Sequence, residues 1–220
     1  MNDLIGMNFC VNDDLNVDVD YTAGRRKKHK VIDMNTFCDI LNKSSEMTEC
    51  KTGVLPDGCV AYRETNTLRR FVALELKARR MNLVYERTGY TDFPIPRLIY
   101  GFWLDRYGKV ESVKVTVADM GILKEDTRLY KYPFSNVMDF SMCIGSNTLP
   151  PVKYLWQLEN MPYYIFTMPD NNDYYTPQNT RLNMEYRTML EFLKEKEPDF
   201  YYSDVLIPNG QTLQDFINRK

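Results

Sequence analysis

Histidine is the residue that this sequence most conspicuously lacks, since His29 is the only one in 220 residues. It lies in a basic run, residues 25–30, and a side chain in such a run is more often solvated than catalytic. The base of a Ser–His–Asp or Cys–His hydrolase must be oriented by a packed scaffold, so His29 is a poor candidate for that role. A metal site that needs two histidines from one chain is excluded. An enzyme built on this chain therefore has to work without a histidine base.

Other chemistry-bearing motifs are also missing from the sequence. Neither GxxxxGK[ST] nor GxGxxG occurs, which excludes the two common glycine-rich phosphate-binding loops. No two cysteines are spaced as CxxC, which excludes the usual zinc-ribbon and thioredoxin-type motifs. The five cysteines are odd in number and scattered, as is typical of a reducing compartment: Cys10, Cys38, Cys50, Cys59 and Cys143.

Long apolar runs and an excess of one charge are absent as well. The longest uncharged apolar run, residues 98–104, is far shorter than the roughly 20 residues of a membrane span. Residues 1–20 contain five aspartates and no lysine or arginine, so they lack the basic start of a secretory signal. The net charge of -2 argues against a general nucleic-acid partner, which needs a basic face. We therefore expect a cytoplasmic protein with neither a membrane nor a nucleic acid as partner.

What the chain does have is a middle section with the pattern of a sheet. Apolar residues alternate with other residues over 72–76, and residues 81–85 are the expected hairpin partner of that strand. Residues 99–104 and 110–117 flank a turn-forming segment, 105–108, which predicts a second hairpin. Together these patterns predict a four-stranded antiparallel meander.

Helices are predicted on either side of this meander. Asp33 is a candidate N-cap for an early helix. Apolar residues recur at helical spacing over 182–193, and Pro198 ends that segment. Thr212 and Asp215 have the spacing of a capping box that opens a last short helix. The proline-marked stretch 129–160 is predicted to be an ordered irregular loop, where functional residues are often found.

Two residues in this loop point to a chemistry. Asn136 follows a turn containing Pro133, and Cys143 comes seven residues later, followed by Ile144 and Gly145. Here the sequence resembles the ubiquitin-conjugating (E2) superfamily, whose signature is His-Pro-Asn, a short turn, and a Cys followed by an aliphatic residue. More specifically, it resembles the bacterial family-D E2-like proteins, known as PRTRC system protein B. The resemblance covers most of the chain from about Val54 onward, and its other segments are 72–85, 96–101, Phe166-Thr167-x-Pro169, Leu206-x-Pro208 and Thr212-Leu213.

The resemblance implies an α+β fold. In the ubiquitin-conjugating-like fold, a four-stranded antiparallel meander and a long active-site loop are flanked by helices that pack on one side. This domain is expected to span residues 51–220. Residues 1–50, where the resemblance is thinnest, are expected to form an N-terminal extension or a small subdomain.

The resemblance also implies an activity that needs no histidine. Cys143 is expected to accept the C-terminal acyl group of a ubiquitin-like protein as a thioester and to pass it to an amine. Asn136 either donates its side-chain amide to the oxyanion or holds the cysteine-bearing loop in shape. The implied partners are a ThiF-like activating enzyme, the ubiquitin-like protein and a JAB-type peptidase. No cofactor is expected, because the activating enzyme consumes the ATP.

Simpler interpretations of the same residues stay open. Cys143 has Met142 and Ile144 beside it and on composition alone is a small buried hydrophobe, and Asn136 could cap a turn. The family's usual glycine before the Cys is missing and the Asn-to-Cys spacing is short, which favours a catalytically inactive E2-like scaffold that binds partners of a plasmid or mobile-element system. The basic run 25–30 suggests a third alternative, a DNA-maintenance component.

Overall fold

The structure, a computed structural model, describes residues 7–24, 26–46 and 52–219. The chain divides into two compact units, Met1–Thr52 and Gly53–Lys220. The predicted domain boundary, between residues 50 and 51, lies two residues before this division. Arg25, in the basic run, and Cys50 lie outside the described residues.

The N-terminal unit is a three-stranded antiparallel sheet followed by a helix. Its strands lie in the order β1-β2-β3. Asp33 caps the helix as predicted, since its carboxylate accepts the backbone N–H of Thr36 at 2.9 Å. The hydrogen bonds from Thr36 also lower the pKa of the Asp33 carboxyl. The elements are β1 (Met7–Val11), β2 (Asn16–Ala23), β3 (Arg26–Asp33) and α1 (Met34–Glu46).

Residues 26–30 of the basic run lie in the edge strand β3, and acidic residues of β2 lie beside them. The register places Asp20 directly opposite His29. Nδ1 of His29 lies 2.9 Å from a carboxylate oxygen of Asp20, and Nε2 lies 3.3 Å from Asp18. The hydrogen bond with Asp20 is the main reason why the pKa of His29 is raised above 6.5. Part of the basic charge in this strand is therefore paired within the unit.

We expect His29 to titrate with a midpoint above 6.5, which its ring resonances in an NMR pH titration will show. Because the folded pKa is the raised one, this contribution to folding stability is present below pH 6.5 and is lost as the pH rises through the folded pKa. In Asp20→Asn the midpoint should fall toward 6.5, whereas Asp13→Asn, which removes an exposed acid from the same unit, should leave it unchanged. An unchanged midpoint in Asp20→Asn would contradict the assignment.

The C-terminal unit is built on a larger, mainly antiparallel sheet. Six of its strands follow the order β11-β12-β9-β8-β5-β4, and β10 joins β9 to β13. A separate two-stranded sheet contains β6 and β7. The strands are β4 (Cys59–Glu64), β5 (Arg70–Leu76), β6 (Arg79–Tyr85), β7 (Thr88–Ile95), β8 (Leu98–Leu104), β9 (Val110–Ala118), β10 (Arg128–Tyr130), β11 (Val137–Met138), β12 (Ser141–Met142) and β13 (Pro208–Thr212).

One predicted hairpin is confirmed and the other is wrong. β8 and β9 pair around the predicted turn, in which the N–H of Gly108 donates to the carbonyl oxygen of Asp105 at 3.1 Å. Residues 81–85, however, pair with β7, while β5 lies between β4 and β8. The turn from β6 to β7 consists of Glu86 and Arg87, and Glu86 has a φ of +51°. Neither residue is the Gly or Asn that normally marks such a turn in a sequence.

Helices cover both faces of the large sheet. Successive strand residues point to opposite faces, so Val72 and Leu74 belong to a different core from Phe71 and Ala73. The first core contains the buried faces of α2 and α3, and the second contains α4. The prediction that all helices pack on one side is therefore wrong. The helices are α2 (Met161–Phe166), α3 (Tyr186–Leu193) and α4 (Leu213–Asn218), with 3-10 turns at Leu155–Asn160 and Pro177–Asn179 and a π-helical turn at Tyr201–Val205.

The helix starts follow the predicted signals only in part. Thr212 caps α4 as predicted, because its backbone N–H donates to the Asp215 carboxylate at 2.8 Å and the Asp215 N–H donates back to its hydroxyl at 3.3 Å. The helix predicted over residues 182–193 begins only at Tyr186. The architecture is thus mixed α+β, with mostly antiparallel strands and few helices. In the described part of the chain, every helix is too short or too polar to cross a bilayer.

Gly108 forms a backbone hydrogen bond that holds the proline-marked stretch, residues 129–160, against the β8–β9 turn. Its carbonyl oxygen accepts the N–H of Val152 at 2.8 Å, and a Cβ at Gly108 would lie 2.0 Å from the Val152 carbonyl oxygen. Its φ of +87° is also one that residues with a side chain rarely adopt.

We therefore expect Gly108→Ala to lower the free energy of unfolding by about 3 kcal/mol, because backbone strain adds to a clash that the loop must relieve. Gly121→Ala is the matched control, since Gly121 has a φ of +99° but nothing within 4 Å of an added Cβ. It should cost only about 1 kcal/mol. Chemical denaturation of both variants measures the difference, and equal losses would contradict the clash.

Candidate functional site

A short hairpin brings the two predicted site residues together. β11 and β12 pair antiparallel around a two-residue turn, Asp139 and Phe140, whose φ values are +54° and +76°. Two successive positive φ values are those of a type I′ turn, which suits the twist of a hairpin. The spacing of seven residues then places Asn136 opposite Cys143, and the Cys143 N–H donates to the Asn136 carbonyl oxygen at 2.8 Å.

Tertiary contacts hold this turn in a conformation that its residues do not favour. The buried ring of Phe140 meets the Phe216 ring edge-on, with centroids 5.1 Å apart. The Phe140 carbonyl oxygen accepts the N–H of Val115 at 2.8 Å, and Asp139 forms an ion pair with Arg219. These contacts hold the hairpin, and with it the position of Cys143, on the large sheet.

Asn136 is fixed by hydrogen bonds on both its backbone and its side chain. Its φ is +62°, its N–H donates to the Asp173 carbonyl oxygen at 2.6 Å, and its side-chain amide donates to the carboxylate of Asp170. Together with the bond from Cys143, these contacts describe the loop-holding role rather than an amide directed at the thiol. The amide nitrogen keeps a second hydrogen that the bond to Asp170 does not use.

Asp170 is the site residue that the sequence analysis missed. Its carboxylate accepts the hydroxyl of Tyr186 at 2.7 Å as well as the amide of Asn136. Its backbone bridges to β6, donating to the Val84 carbonyl oxygen at 2.9 Å and accepting the Glu86 N–H at 2.8 Å. The signal that could have identified it is the motif ending at Pro169, which it directly follows.

Burial controls the ionisation of the groups behind the cleft. It raises the pKa of the Asp170 carboxyl, although the hydrogen bonds from Tyr186 and Asn136 oppose the shift. It also raises the pKa values of the Tyr132 and Tyr186 hydroxyls well above 10, so both phenols are neutral at physiological pH. Among the described residues, the Asp170 carboxyl is contacted by the neutral donors Asn136 and Tyr186 and forms no ion pair.

The cleft in front of these groups has a volume of about 200 Å³, and the exposed thiol of Cys143 lies at its rim. Two carboxylates, those of Asp170 and Asp173, and the amide side chain of Asn147 line it, while Met168 contributes apolar surface. Among its described lining residues none is basic. The arrangement places an exposed thiol beside acidic residues that attract a cation.

Three other thiols belong to described residues, and none of them lines this cleft. Cys10 and Cys38 are exposed in the N-terminal unit, whereas Cys59 is half-buried in β4. Burial raises the pKa of the Cys59 thiol, which makes it a weaker nucleophile. Within the described ranges, no three His, Cys, Asp or Glu side chains are grouped so that they could hold a metal ion.

No protein-family model matches the sequence, and the searches of curated proteins and of solved structures found no similar protein. The resemblance to the E2-like proteins therefore rests on the motifs quoted above. The structure shows the coarser part of the predicted fold, a mixed α+β architecture with mostly antiparallel sheets.

Proposed function

We propose that this chain is an E2-like transferase that carries a ubiquitin-like protein as a thioester on Cys143. The observation that supports it most is the placement of an exposed thiol opposite Asn136, at the rim of a cleft that contains the Asp170 carboxylate. Of the segments that carry the resemblance, the one that contains Asn136 and Cys143 forms this hairpin, and Phe166 and Pro169 of a second segment line the same cleft.

The reaction consists of two acyl transfers. Sγ of Cys143 attacks the thioester carbonyl on a ThiF-like activating enzyme, and the cysteine of that enzyme leaves as the thiol. An amine then attacks the new thioester, the Cys143 thiol leaves, and the amine loses a proton as the amide forms. Both steps conserve the acyl group without oxidation or reduction. ATP is consumed by the activating enzyme, and a JAB-type peptidase completes the proposed set of partners.

The acidic lining of the cleft suits the second transfer. A protonated amine is attracted to Asp170 and Asp173, which concentrates the acceptor beside the thioester. A carboxylate can then accept the proton that the amine must lose. Asn136 contributes by holding the hairpin that carries Cys143.

A thioester charging assay tests the proposal. The chain is incubated with ATP and with the activating enzyme and ubiquitin-like protein encoded beside it, and samples are run on gels with and without thiol reductant. The expected product is a conjugate band that the reductant removes. Absence of this band, while the activating enzyme is charged in the same tube, would contradict the proposal for those partners.

An inactive scaffold is the second candidate function. Two observations favour it: no basic side chain lines the cleft beside the thiol in the described part of the chain, and the Asn136 amide already donates to Asp170. A scaffold would bind the ubiquitin-like protein without forming the thioester. Equal binding by wild type and Cys143→Ala, together with no charging in the assay, would favour the scaffold.

A further inference from the structure

A basic pocket lies on the second face of the large sheet, on the side that packs against α4. The strand register aligns Arg63, Phe71, Trp103 and Ser112 in one row across β4, β5, β8 and β9. Residues that are directly opposite on neighbouring strands share a face, so these side chains line one surface. The pocket has a volume of about 610 Å³.

Four cations surround this pocket, and two of them have acidic partners. Arg69 pairs with Glu111, with nitrogen–oxygen distances of 2.7 and 2.6 Å, and Arg219 pairs with Asp139. Among the described residues, no carboxylate forms an ion pair with Arg63 or with Lys114. The pocket therefore contains two positive charges that the described part of the protein does not neutralise.

Lys114 is buried although it is charged. The residue is 7% exposed, and its Nζ donates to the carbonyl oxygen of Arg219 at 2.5 Å. Burial and the positive charges of Arg219 and Arg63 lower the pKa of the Lys114 amine. A negative ligand would relieve both this repulsion and the cost of burying the charge.

Arg63 carries a pair of buried donors for which the described residues supply no acceptor. Its guanidinium lies over the rings of Phe71 and Trp103, 5.6 and 5.0 Å from their centroids. Its Nε and Nη2 atoms are buried and have no hydrogen-bond partner among the residues that the structure describes. These two nitrogens form the edge of the guanidinium that binds two oxygens of a phosphate or carboxylate in parallel.

We propose that this basic pocket binds a phosphate group, either as inorganic phosphate or as part of a nucleotide. Two unneutralised cations match the charge of a phosphate dianion, while a carboxylate would neutralise only one of them. The hydroxyls of Thr65, Ser112 and Ser141 line the same pocket and supply further donors. This inference does not depend on the proposed transferase activity.

Trp103 allows direct detection of the ligand. It lies beneath Arg63 and Arg69, and Trp156, the other tryptophan, is half-exposed and lies outside the pocket. In a Trp156→Phe background, Trp103 emission is followed during titration with sodium phosphate at constant ionic strength. We expect a saturable change. The titration is repeated with adenosine monophosphate. If this nucleotide binds more tightly than inorganic phosphate, the natural ligand is a nucleotide. If the two bind equally, the pocket recognises the phosphate group alone.

Variants in the Trp156→Phe background distinguish binding in this pocket from a general effect of the protein's positive charge. Arg63→Gln should weaken phosphate binding roughly tenfold or more, because it removes the paired donors. Arg106→Gln is the matched control, since Arg106 is exposed in the β8–β9 turn outside the pocket, and it should bind as the parent does.

Three outcomes would overturn the proposal. These are a linear response to phosphate, equal affinity for acetate, and equal weakening by the Arg63 and Arg106 substitutions. If Arg63→Gln does not fold, Lys114→Gln takes its place, and the phosphate-dependent rise in the melting temperature of the parent protein is compared with that of Lys114→Gln. No rise in the parent would likewise overturn the proposal.

Discussion

Replacing Cys143 with alanine is expected to abolish formation of the reductant-sensitive conjugate, because the thioester forms on its sulfur. Cys143→Ser should instead trap the ubiquitin-like protein as an oxygen ester, since a hydroxyl can accept the acyl group but the ester resists thiol reductants. Gels run with and without reductant distinguish the two products. Mass spectrometry of the trapped ester would locate the acyl group on residue 143.

Cys38→Ala is the matched control for this experiment. Cys38 is an exposed thiol of the N-terminal unit, so its loss removes a reactive group without altering the cleft. Charging should be unchanged in this variant. Continued charging of Cys143→Ala, lost only when another cysteine is replaced, would assign the nucleophile to a different thiol. The melting temperatures of all three variants should match that of the wild type, because Cys143 is exposed.

Local signals made part of this fold predictable. Asp33 and Thr212 mark helix starts through hydrogen bonds to residues three positions later, so the whole signal lies within one turn. The β8–β9 hairpin is predicted for the same reason, because its turn contains Asp105 and Gly108. Each of these features depends only on residues close in sequence.

Features that depend on distant residues were not predictable in this way. The pairing of residues 81–85 was misassigned because the turn at Glu86 and Arg87 lacks the usual turn residues, and its positive φ is tolerated only in the folded context. The placement of α4 on the second face depends on Phe216 packing against Phe71, which no local pattern reveals.

The candidate site also combines features that depend on neighbouring residues with features that depend on distant ones. The spacing of Asn136 and Cys143 is a local motif of the sequence, and the hairpin explains why that spacing places them opposite each other. Asp170 was missed because it reaches Asn136 from a different part of the chain, through the bridge to β6 and the hydroxyl of Tyr186. A buried carboxylate with no cation beside it carries no recognisable sequence pattern.

Replacing Asp170 with alanine is expected to lower the free energy of unfolding by about 3 kcal/mol, because the buried Tyr186 hydroxyl and the Asn136 amide both lose their acceptor. Since Asn136 positions the hairpin, charging of Cys143 should also slow. Chemical denaturation measures the first effect and the charging rate measures the second. Asp173→Ala is the matched control, because this exposed acid lines the same cleft and should change stability by at most about 0.5 kcal/mol.

The pH dependence of stability gives an independent check on Asp170. Its folded pKa is raised above 3.8, so its stabilising contribution is fully present below pH 3.8 and is lost as the pH rises through the folded pKa. Asp170→Asn has no titrating carboxyl and should lose this part of the pH dependence, which denaturation curves at a series of pH values will show. If the free energies of unfolding of wild type and Asp170→Asn changed in parallel as the pH rises from 3.8, the burial argument would be contradicted. An Asp170→Ala variant as stable as Asp173→Ala would also contradict it.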